Sequence, residues 1–478
     1  LVVLSAGLQA CFAATPLLYP EDTGSGRTLP TIQRLMGLLD VHPQEREEDT
    51  EAFVHEGPER QITSRGQAQA FLIASIATAA APPAAAEELL ASALQLYNGW
   101  RRLCAESKDQ HQECQVVPEG GRRPFTCGNG PSWRYERFPC LPHHAFDHNI
   151  DRATGLGSHS DADADAIVAM IVLLVHHDGL GLAWWHPMGQ WAYDSCKAFV
   201  HYNTVASASG DQRMIRTGAC QRGWSCSDPT MFAPAHYRVM RQFMIDFSSL
   251  FGAEPQKGAA NAVPSAKDAQ AFSRMLDELI ATAYRTLSSA QCRSAGTFPS
   301  ELATGTPSAG ADDDAEGCAA SPPADASVTA SARAAWHVAL DYFWFADESN
   351  PRALLEPLSL NVAASLRYAK PGCLQATCMP VLDMDAGCVT GSASAQWAKR
   401  PSELVPFLLV LMPPIHQADD RTSYQQQALT LLAGLVLDVH ARSRDETELR
   451  WAALAMLGFA EDRYALARVR HARQAEQD

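Results

Sequence analysis

Ten stretches of this chain place apolar residues three and four positions apart, and that spacing limits what it folds into more than any other feature. They are 64–80, 84–103, 165–176, 191–202, 233–250, 266–287, 332–345, 402–412, 423–440 and 447–457. Alternating runs rich in Val, Ile and Thr are scarce, so the expectation is an all-α protein with no sheet. Long segments rich in Gly, Pro, Cys and Asp separate the helices, at 105–160, 203–230, 290–330 and 369–398. Long loops on a regular scaffold are where ligand sites are often built. Residues 302–329 are dense in Ala, Ser, Pro and Asp, a composition that suits partial disorder. No unit repeats at a fixed length.

Charge and hydropathy narrow the partners. The formal net charge is −16, which argues against nucleic acid and anionic membrane surfaces, since both need clustered Lys and Arg. It suits a protein acting on a neutral ligand. No run approaches the ~20 apolar residues of a spanning helix; the best, 167–175, reads as buried core. Residues 1–14 are apolar and end in small residues, Ala13 and Ala14. They read as the tail of a secretory signal, with a first core helix as the other reading. The rest, 15–478, then forms a single domain. The chain has 13 cysteines, many for a reducing compartment. Loss of Cys11 with a signal leaves an even number. Close spacings in loop-like sequence (Cys104 and Cys114, Cys127 and Cys140, Cys220 and Cys226, and Cys373, Cys378 and Cys388) suit disulfides in a secreted protein. No Cys-x-x-Cys pair suggests zinc.

Four segments carry chemistry-bearing residues in order. The first includes Ser64-Arg65-Gly66-Gln67-Ala68-Gln69. The second is Ser158-His159-Ser160-Asp161-Ala162-Asp163-Ala164-Asp165, with Trp184, Trp185, Trp191 and Tyr193 after it. The third is Asp228-Pro229-Thr230-Met231-Phe232-Ala233-Pro234-Ala235-His236-Tyr237-Arg238. The fourth includes Ser331-Ala332-Arg333-Ala334-Ala335-Trp336-His337. In sequence they resemble blocks of glycoside hydrolase family 8: Ser-Glu-Gly-Gln-Gly-Tyr-Gly-Met, Ala-Thr-Asp-Ala-Asp-Leu-Asp-Ile-Ala, Asn-Pro-Ser-Tyr-Phe-Ala-Pro-Ala-Tyr-Tyr-Arg, and Asp-Ala-Ser-Arg-Thr-Pro-Trp-Arg. The resemblance runs from about 62 to 345. It implies an (α/α)6 barrel, a six-hairpin toroid, that binds a β-1,4-linked polysaccharide or oligosaccharide in a cleft and uses no cofactor or metal.

The same resemblance puts catalysis in doubt. Inversion needs two separated carboxyl groups, an acid for the leaving oxygen and a base for a water on the opposite sugar face. The family's acid position is Arg65 here, and a guanidinium donates no proton at useful pH. The family's base position, aligned through Arg333 and Trp336, is Ala330. The site tyrosines become Gln69 and Met231. The aspartate that holds the sugar beside the cleaved bond maps to Asp163, with Asp161 or Asp165 as alternatives; each could instead cap the helix that begins near Ala164. Arg333 binds either sugar or a structural carboxylate. Trp184, Trp185, Trp191, Trp224 and Phe232 are candidates to stack on pyranose faces or to pack the core. The expectation is a glycan binder with hydrolysis lost or weakened. The alternative is an active inverting enzyme whose carboxylates have moved, to Glu56 or Glu59 before the first block, or to Asp312, Asp313, Asp314, Glu316 or Asp325 in the loop before the fourth.

Two other chemistries have weaker support. His143, His144 and His148 lie close to Asp147, with metal-like spacing but beside Pro139 and Pro142, so loop histidines are the plainer reading. His176 and His177 close an apolar helix and favour its dipole. No Gly-x-Ser-x-Gly elbow supports a serine hydrolase. The sequence does not define the oligomeric state.

Overall fold

In the computed structural model the described residues are 41–45, 50–57, 59–81, 83–107, 141–155, 157–177, 182–207, 212–218, 226–227, 229–251, 266–292, 296–298, 302–303, 324–345 and 349–367. In chain order the elements are β1 (Val41–Glu45), β2 (Thr50–Glu56), β3 (Gln61–Thr63), α1 (Ser64–Ala80), α2 (Pro83–Ser107), β4 (Ala145–Phe146), β5 (Ala153–Gly155), α3 (Ser160–His176), α4 (Trp185–Tyr202), β6 (Thr204–Ala206), β7 (Arg213–Ile215) and β8 (Cys226–Ser227). A 3-10 turn (Pro229–Met231) then leads to α5 (Pro234–Asp246), α6 (Ser248–Phe251), α7 (Ala266–Ala290), β9 (Leu302–Ala303), α8 (Ala324–Trp344) and α9 (Ser349–Arg367). The helices expected at 402–412, 423–440 and 447–457 lie outside the described residues, as do the leader at 1–14 and the loop acids 312–316.

The helices fall into two kinds. In α3 every residue from Ser160 to Val175 is buried, and α1 and the central part of α8 are nearly as enclosed. Apart from the polar residues that meet one another across the site, such helices are apolar or small on every face, which an inner position permits. By contrast α2 and α7 leave one face in water. Contacts follow the same division: α1 packs on α3, α3 on α5 and α5 on α8, while α2, α4, α7 and α9 lie against α1, α3, α5 and α8. Ala-rich inner helices come close because small side chains leave room. A similar demand holds at Gly99 of α2, where a Cβ would stand 2.2 Å from the Ala52 carbonyl oxygen of β2. Gln67 of α1 closes that junction. Its Nε2 donates to Ala52 and Leu96 carbonyls at 2.9 Å each, and its Oε1 accepts from the Val54 N–H at 3.1 Å.

The expectation of no sheet is corrected. β1 to β5 form an antiparallel five-stranded sheet in sequential order, and β6–β7 and β8–β9 are two-stranded. These strands are short, and β2 is buried over four consecutive residues rather than alternately. Most pair with a neighbour a few residues away, as β1 with β2 and β6 with β7, while β3–β4 and β8–β9 join distant segments; runs this short carry too few residues for alternation to report them. The sheet has a positional role. β3 runs straight into α1, whose first N–H, Ser64, donates to the His144 carbonyl at 3.0 Å. The His144 N–H in turn reaches Gly157 O at 2.7 Å, and Ser160 N–H at the start of α3 reaches Thr217 O at 2.9 Å. Loop carbonyls thus satisfy the free N–H groups of inner-helix starts and fix those starts beside one another. Among the described residues no helix is long and apolar enough to cross a membrane.

Candidate functional site

The N-terminal ends of α1, α3 and α5 and the middle of α8 bring the four sequence blocks together. Thr63 caps α1, its hydroxyl accepting from the Gly66 N–H at 2.9 Å. Arg65 therefore stands in the first turn, where a cation opposes the helix dipole. An aspartate answers it: Arg65 Nε lies 3.0 Å from Asp161 Oδ2. The Arg65 side chain is 40% exposed and that of Asp161 fully buried. Arg333 approaches the same Asp161 oxygen from α8. Its other nitrogen lies 3.3 Å from Asp165 Oδ2, and Asp165 Oδ1 is 3.0 Å from His236 Nε2. His159 Nδ1 stands 2.8 Å from Asp161 Oδ1. This nitrogen also lies 3.1 Å from Arg65 Nη2. One ring nitrogen cannot donate to a carboxylate and accept from a guanidinium at once. Donation to Asp161 is the better bond, because the acceptor is charged and the distance shorter.

The helix does not begin near Ala164 as the sequence suggests. It begins at Ser160, with His159 at the cap position and no side-chain cap bond. Asp161 and Asp163 thus sit inside the first turn; Asp161 Oδ1 accepts from the Ala162 N–H at 2.8 Å and so satisfies one free N–H of α3, while Arg65, Arg333 and Asn203 reach the two acids from other parts of the chain. The Arg333 and Arg65 guanidiniums and His159 outweigh the burial that would raise the Asp161 carboxyl, and hold it well below the usual carboxylate range. Asp163 has the opposite fate. Burial, with a smaller push from Asp161, lifts its carboxyl to about 8, against hydrogen bonding from Asn203 and Ser158. Asn203 Nδ2 donates to Asp163 Oδ2 at 2.6 Å and Ser158 Oγ donates to Asn203 Oδ1 at 3.1 Å. At neutral pH the α3 entrance therefore carries anionic Asp161 beside a protonated Asp163.

Of the aromatic candidates, two are corrected to core packing. Trp185 is buried, donates Nε1–H to Leu174 O at 3.0 Å and packs on Phe247 and Phe251. Phe232 is wholly buried, and its carbonyl lies 3.1 Å from His337 Nδ1. Both sit where an enclosed ring excludes more apolar surface from water than a cleft would. Trp184 and Trp191 are half-buried; His177 meets Trp184 edge-on at 5.9 Å, and the Arg101 guanidinium lies 5.2 Å from the Trp191 ring centroid. Trp224 lies outside the described residues. Of the site tyrosine replacements, Gln69 and Met231 are both buried.

The histidine loop does not form a cluster. His143 is not an exposed loop residue but is fully buried, and its Nδ1 accepts from the Gly157 N–H at 2.8 Å. His144 meets the His159 ring edge-on at 6.0 Å, and His148 is exposed in a turn. A different set converges instead, Asp165, His236 and His337, all buried, with one ligand atom each within 4.8 Å of the others. Burial, together with nearby His236 and Arg333, holds the His337 ring well below its ordinary pKa, so it is neutral. Sequence spacing had no means of finding this set, because its members come from three separate blocks.

Two acids proposed for relocation have a place. Thr63 donates its hydroxyl to Glu56 Oε2, and the Glu56 carboxyl lies against Gly66, 2.8 Å from where a Cβ would stand. Glu56 therefore reaches the start of α1, next to Arg65, from strand β2. Asp325 and Ala330 lie within α8 and not in a loop.

Comparison with known proteins gives the fold. No protein-family model and no curated protein matches the chain. Solved structures do. A β-1,3-1,4-glucanase from Paenibacillus sp. X4 is 13% identical with a TM-score of 0.53, over 91% of this chain and 92% of its own. A family 8 xylobiose complex from Teredinibacter turnerae is 12% identical with a TM-score of 0.56, over 94% and 97%. A cold-adapted family 8 xylanase in complex with substrate is 11% identical with a TM-score of 0.54, over 96% and 95%. At such identities the likeness speaks of architecture alone. Inner helices carrying the site at their ends, outer helices behind them, and alignment over nine-tenths of the chain lead to one conclusion: this chain has the (α/α)6-barrel fold of the glycoside hydrolase family 8 enzymes.

Proposed function

We propose that the protein binds a β-1,4-linked polysaccharide or oligosaccharide at the helix ends around Asp161 and Asp163, and that its hydrolytic activity is lost or strongly reduced. One observation carries the reading: the position that resembles the family's acid is Arg65, and its guanidinium is committed to Asp161 at 3.0 Å. Asp161 and Asp165 are in turn engaged by Arg333, His159 and His236. Such carboxylates hold charge in place and do not pass protons. Ala330 offers no base. Loss of one general acid costs roughly 10²–10⁴ in rate. Crystallised neighbours of the same fold hold xylobiose and xylan-type substrate, which supports the ligand class. Half-buried Trp184 is corrected as a candidate for this site: it packs on His177 at the C-terminal end of α3, about 24 Å along the helix from Asp161. A secreted location agrees with the cysteine-rich sequence; non-reducing against reducing electrophoresis of the native protein tests it.

The discriminating experiment pairs glycan binding with reducing-end release on mixed-linkage glucan, carboxymethylcellulose, xylan and chitosan. Binding without turnover is the expected result. Turnover at the rate of an ordinary glycosidase overturns the reading. One observation favours a second reading: Glu56 lies at the α1 entrance beside Arg65. If the acid has moved from the helix to β2, turnover is present and Glu56→Gln abolishes it.

A further inference from the structure

Asp165 of α3, His236 of α5 and His337 of α8 meet where three inner helices cross. All three are buried, at 1%, 0% and 0% relative exposure. Their polar atoms are badly served. Asp165 Oδ1 and His236 Nε2 form a close contact at 3.0 Å that lacks hydrogen-bond geometry, and His337 Nε2 has no hydrogen-bond partner among the described residues. A buried imidazole nitrogen without a partner, next to an Asp–His pair held off hydrogen-bond geometry, is costly in a packed core. The surroundings choose the chemistry. The Phe232 carbonyl accepts from the His337 Nδ1–H at 3.1 Å. That bond fixes the tautomer and turns the Nε2 lone pair toward the other two groups, the second-layer arrangement found behind metal-bound imidazoles. Arg333 takes the other oxygen of Asp165 at 3.3 Å, which leaves Oδ1 for a ligand. Donors around tetrahedral zinc stand roughly 3.3 Å apart, given bonds of about 2.0–2.1 Å, so a 3.0 Å pair with the third donor inside 4.8 Å closes on one ion with small side-chain rotations.

The residue types are also particular to this chain. Against the family blocks quoted above, His236 stands where the pattern has Tyr, and His337 where it has Arg. Two separate departures, on different helices, land beside one aspartate. An Arg at position 337 would bring a second cation to Asp165 beside Arg333. Histidine removes that fixed charge and supplies a nitrogen lone pair in its place.

We propose that Asp165, His236 and His337 bind a divalent transition-metal cation of the zinc class, as a structural centre tying α3, α5 and α8 together. Two imidazoles and one carboxylate favour zinc, cobalt or ferrous iron over calcium and magnesium, which prefer all-oxygen sets. The complete burial of the three ligands suits a structural role better than a catalytic one, and the inference does not depend on the glycan reading.

Metal analysis of the full chain purified without chelator tests it, followed by EDTA stripping and titration with Zn²⁺ and Co²⁺. About one equivalent per chain is expected, with visible ligand-field absorption from the cobalt form and no uptake of Ca²⁺ or Mg²⁺. Stripping should lower the thermal midpoint, and Zn²⁺ should restore it. His337→Gln and His236→Gln should each weaken Zn²⁺ binding about 100-fold or more, given that loss of even a second-layer partner costs 10–100-fold. Should these variants fail to fold, X-ray absorption of the zinc-loaded wild type decides: two imidazole nitrogens and a carboxylate oxygen support the site, and sulfur or all-oxygen coordination overturns it. Failure of the stripped wild type to take up a stoichiometric ion, or binding unchanged in both variants, overturns it as well, leaving a plain Asp–His contact.

Discussion

Replacing Arg333 with Met is the sharpest probe of the ion network at the inner-helix ends. The Arg333 side chain is 3% exposed and serves two carboxylates, Asp161 and Asp165, whose side chains are 0% and 1% exposed. Removing one member of a buried pair leaves an uncompensated charge in a poor solvent, which costs about 3–5 kcal/mol. Arg65 meets the same Asp161 oxygen but is 40% exposed, so solvent screens it and Arg65→Met should cost about 1 kcal/mol or less. The two changes should not add. With Arg333 gone, Arg65 becomes the main cation on Asp161, and the double variant should lose roughly 0.5–3 kcal/mol beyond the sum. Asp161→Asn in the Arg333→Met background should recover part of the loss, because it removes one of the two stranded charges. The assay is thermal unfolding at pH 7 in EDTA, with circular dichroism to establish that each variant folds. At no more than ~2 °C per kcal/mol for a chain this long, Arg333→Met should fall by at most about 6–10 °C. Equal losses for Arg65→Met and Arg333→Met, or no gain from Asp161→Asn, would refute the assignment of Asp161 as the shared acceptor.

Three further outcomes follow from the same geometry. Asp163 holds its proton in the folded chain up to about pH 8, whereas the unfolded carboxyl loses it near 4. Its contribution is therefore complete below about pH 4 and disappears as pH rises toward 8. Asp163→Asn, which imitates the protonated acid, should flatten that decline in metal-free protein, while the Asp161 contribution, present above about pH 4, still fades on acidification; an unchanged slope counts against the assignment. Trp184→Ala, at the far end of α3 from Asp161, should leave both glycan binding and thermal midpoint nearly unchanged, and Trp185→Ala should cost about 3–5 kcal/mol of stability as a core deletion; midpoints and binding isotherms measured together check both. Gly99→Ala should destabilise by about 1–3 kcal/mol, since its Cβ would meet backbone at Ala52 O, and hydrogen exchange at β2 would register the displacement.

What the sequence disclosed depended on how local the cause was. The run 64–80 coincides with α1 because apolar spacing and the Thr63 cap lie within one segment. Asp161, Asp163 and Asp165 were legible only in part: Asp161 meets a first-turn N–H as acids at a helix start ordinarily do, but Arg65, Arg333 and His236, from three other helices, also hold Asp161 and Asp165 as buried members of α3. Helix α9 escaped notice since Pro357 lies inside it, and a proline there argues against a helix on local grounds alone. Strands such as β4, two residues long, exist only through partners elsewhere in the chain. The candidate metal set was hidden for the same reason, and the His143, His144 and His148 spacing that looked like a ligand set had no third element to meet it.

At the α3 entrance the residue at position 65 decides how the charges balance. Anionic Asp161 faces two cations, Arg65 and Arg333, while Asp163 is protonated and adds no charge. With Glu at position 65, as in the family pattern, Asp161 would lose one of its cations and gain a like charge. A working inverting site accepts that kind of strain because proton transfer needs unsatisfied carboxyls of shifted pKa. Arg65 removes it. On the proposed reading the exchange of Glu for Arg at one helix position does two things at once: it ends general-acid chemistry, and it turns a crowded acidic floor into a closed ion network. Arg65→Glu should therefore destabilise the fold more than Arg65→Gln, since only the former sets a second carboxylate against Asp161. A fold that tolerates Glu at 65 as well as Gln would mean the network is incidental, and that Arg65 is no more than a surface substitution.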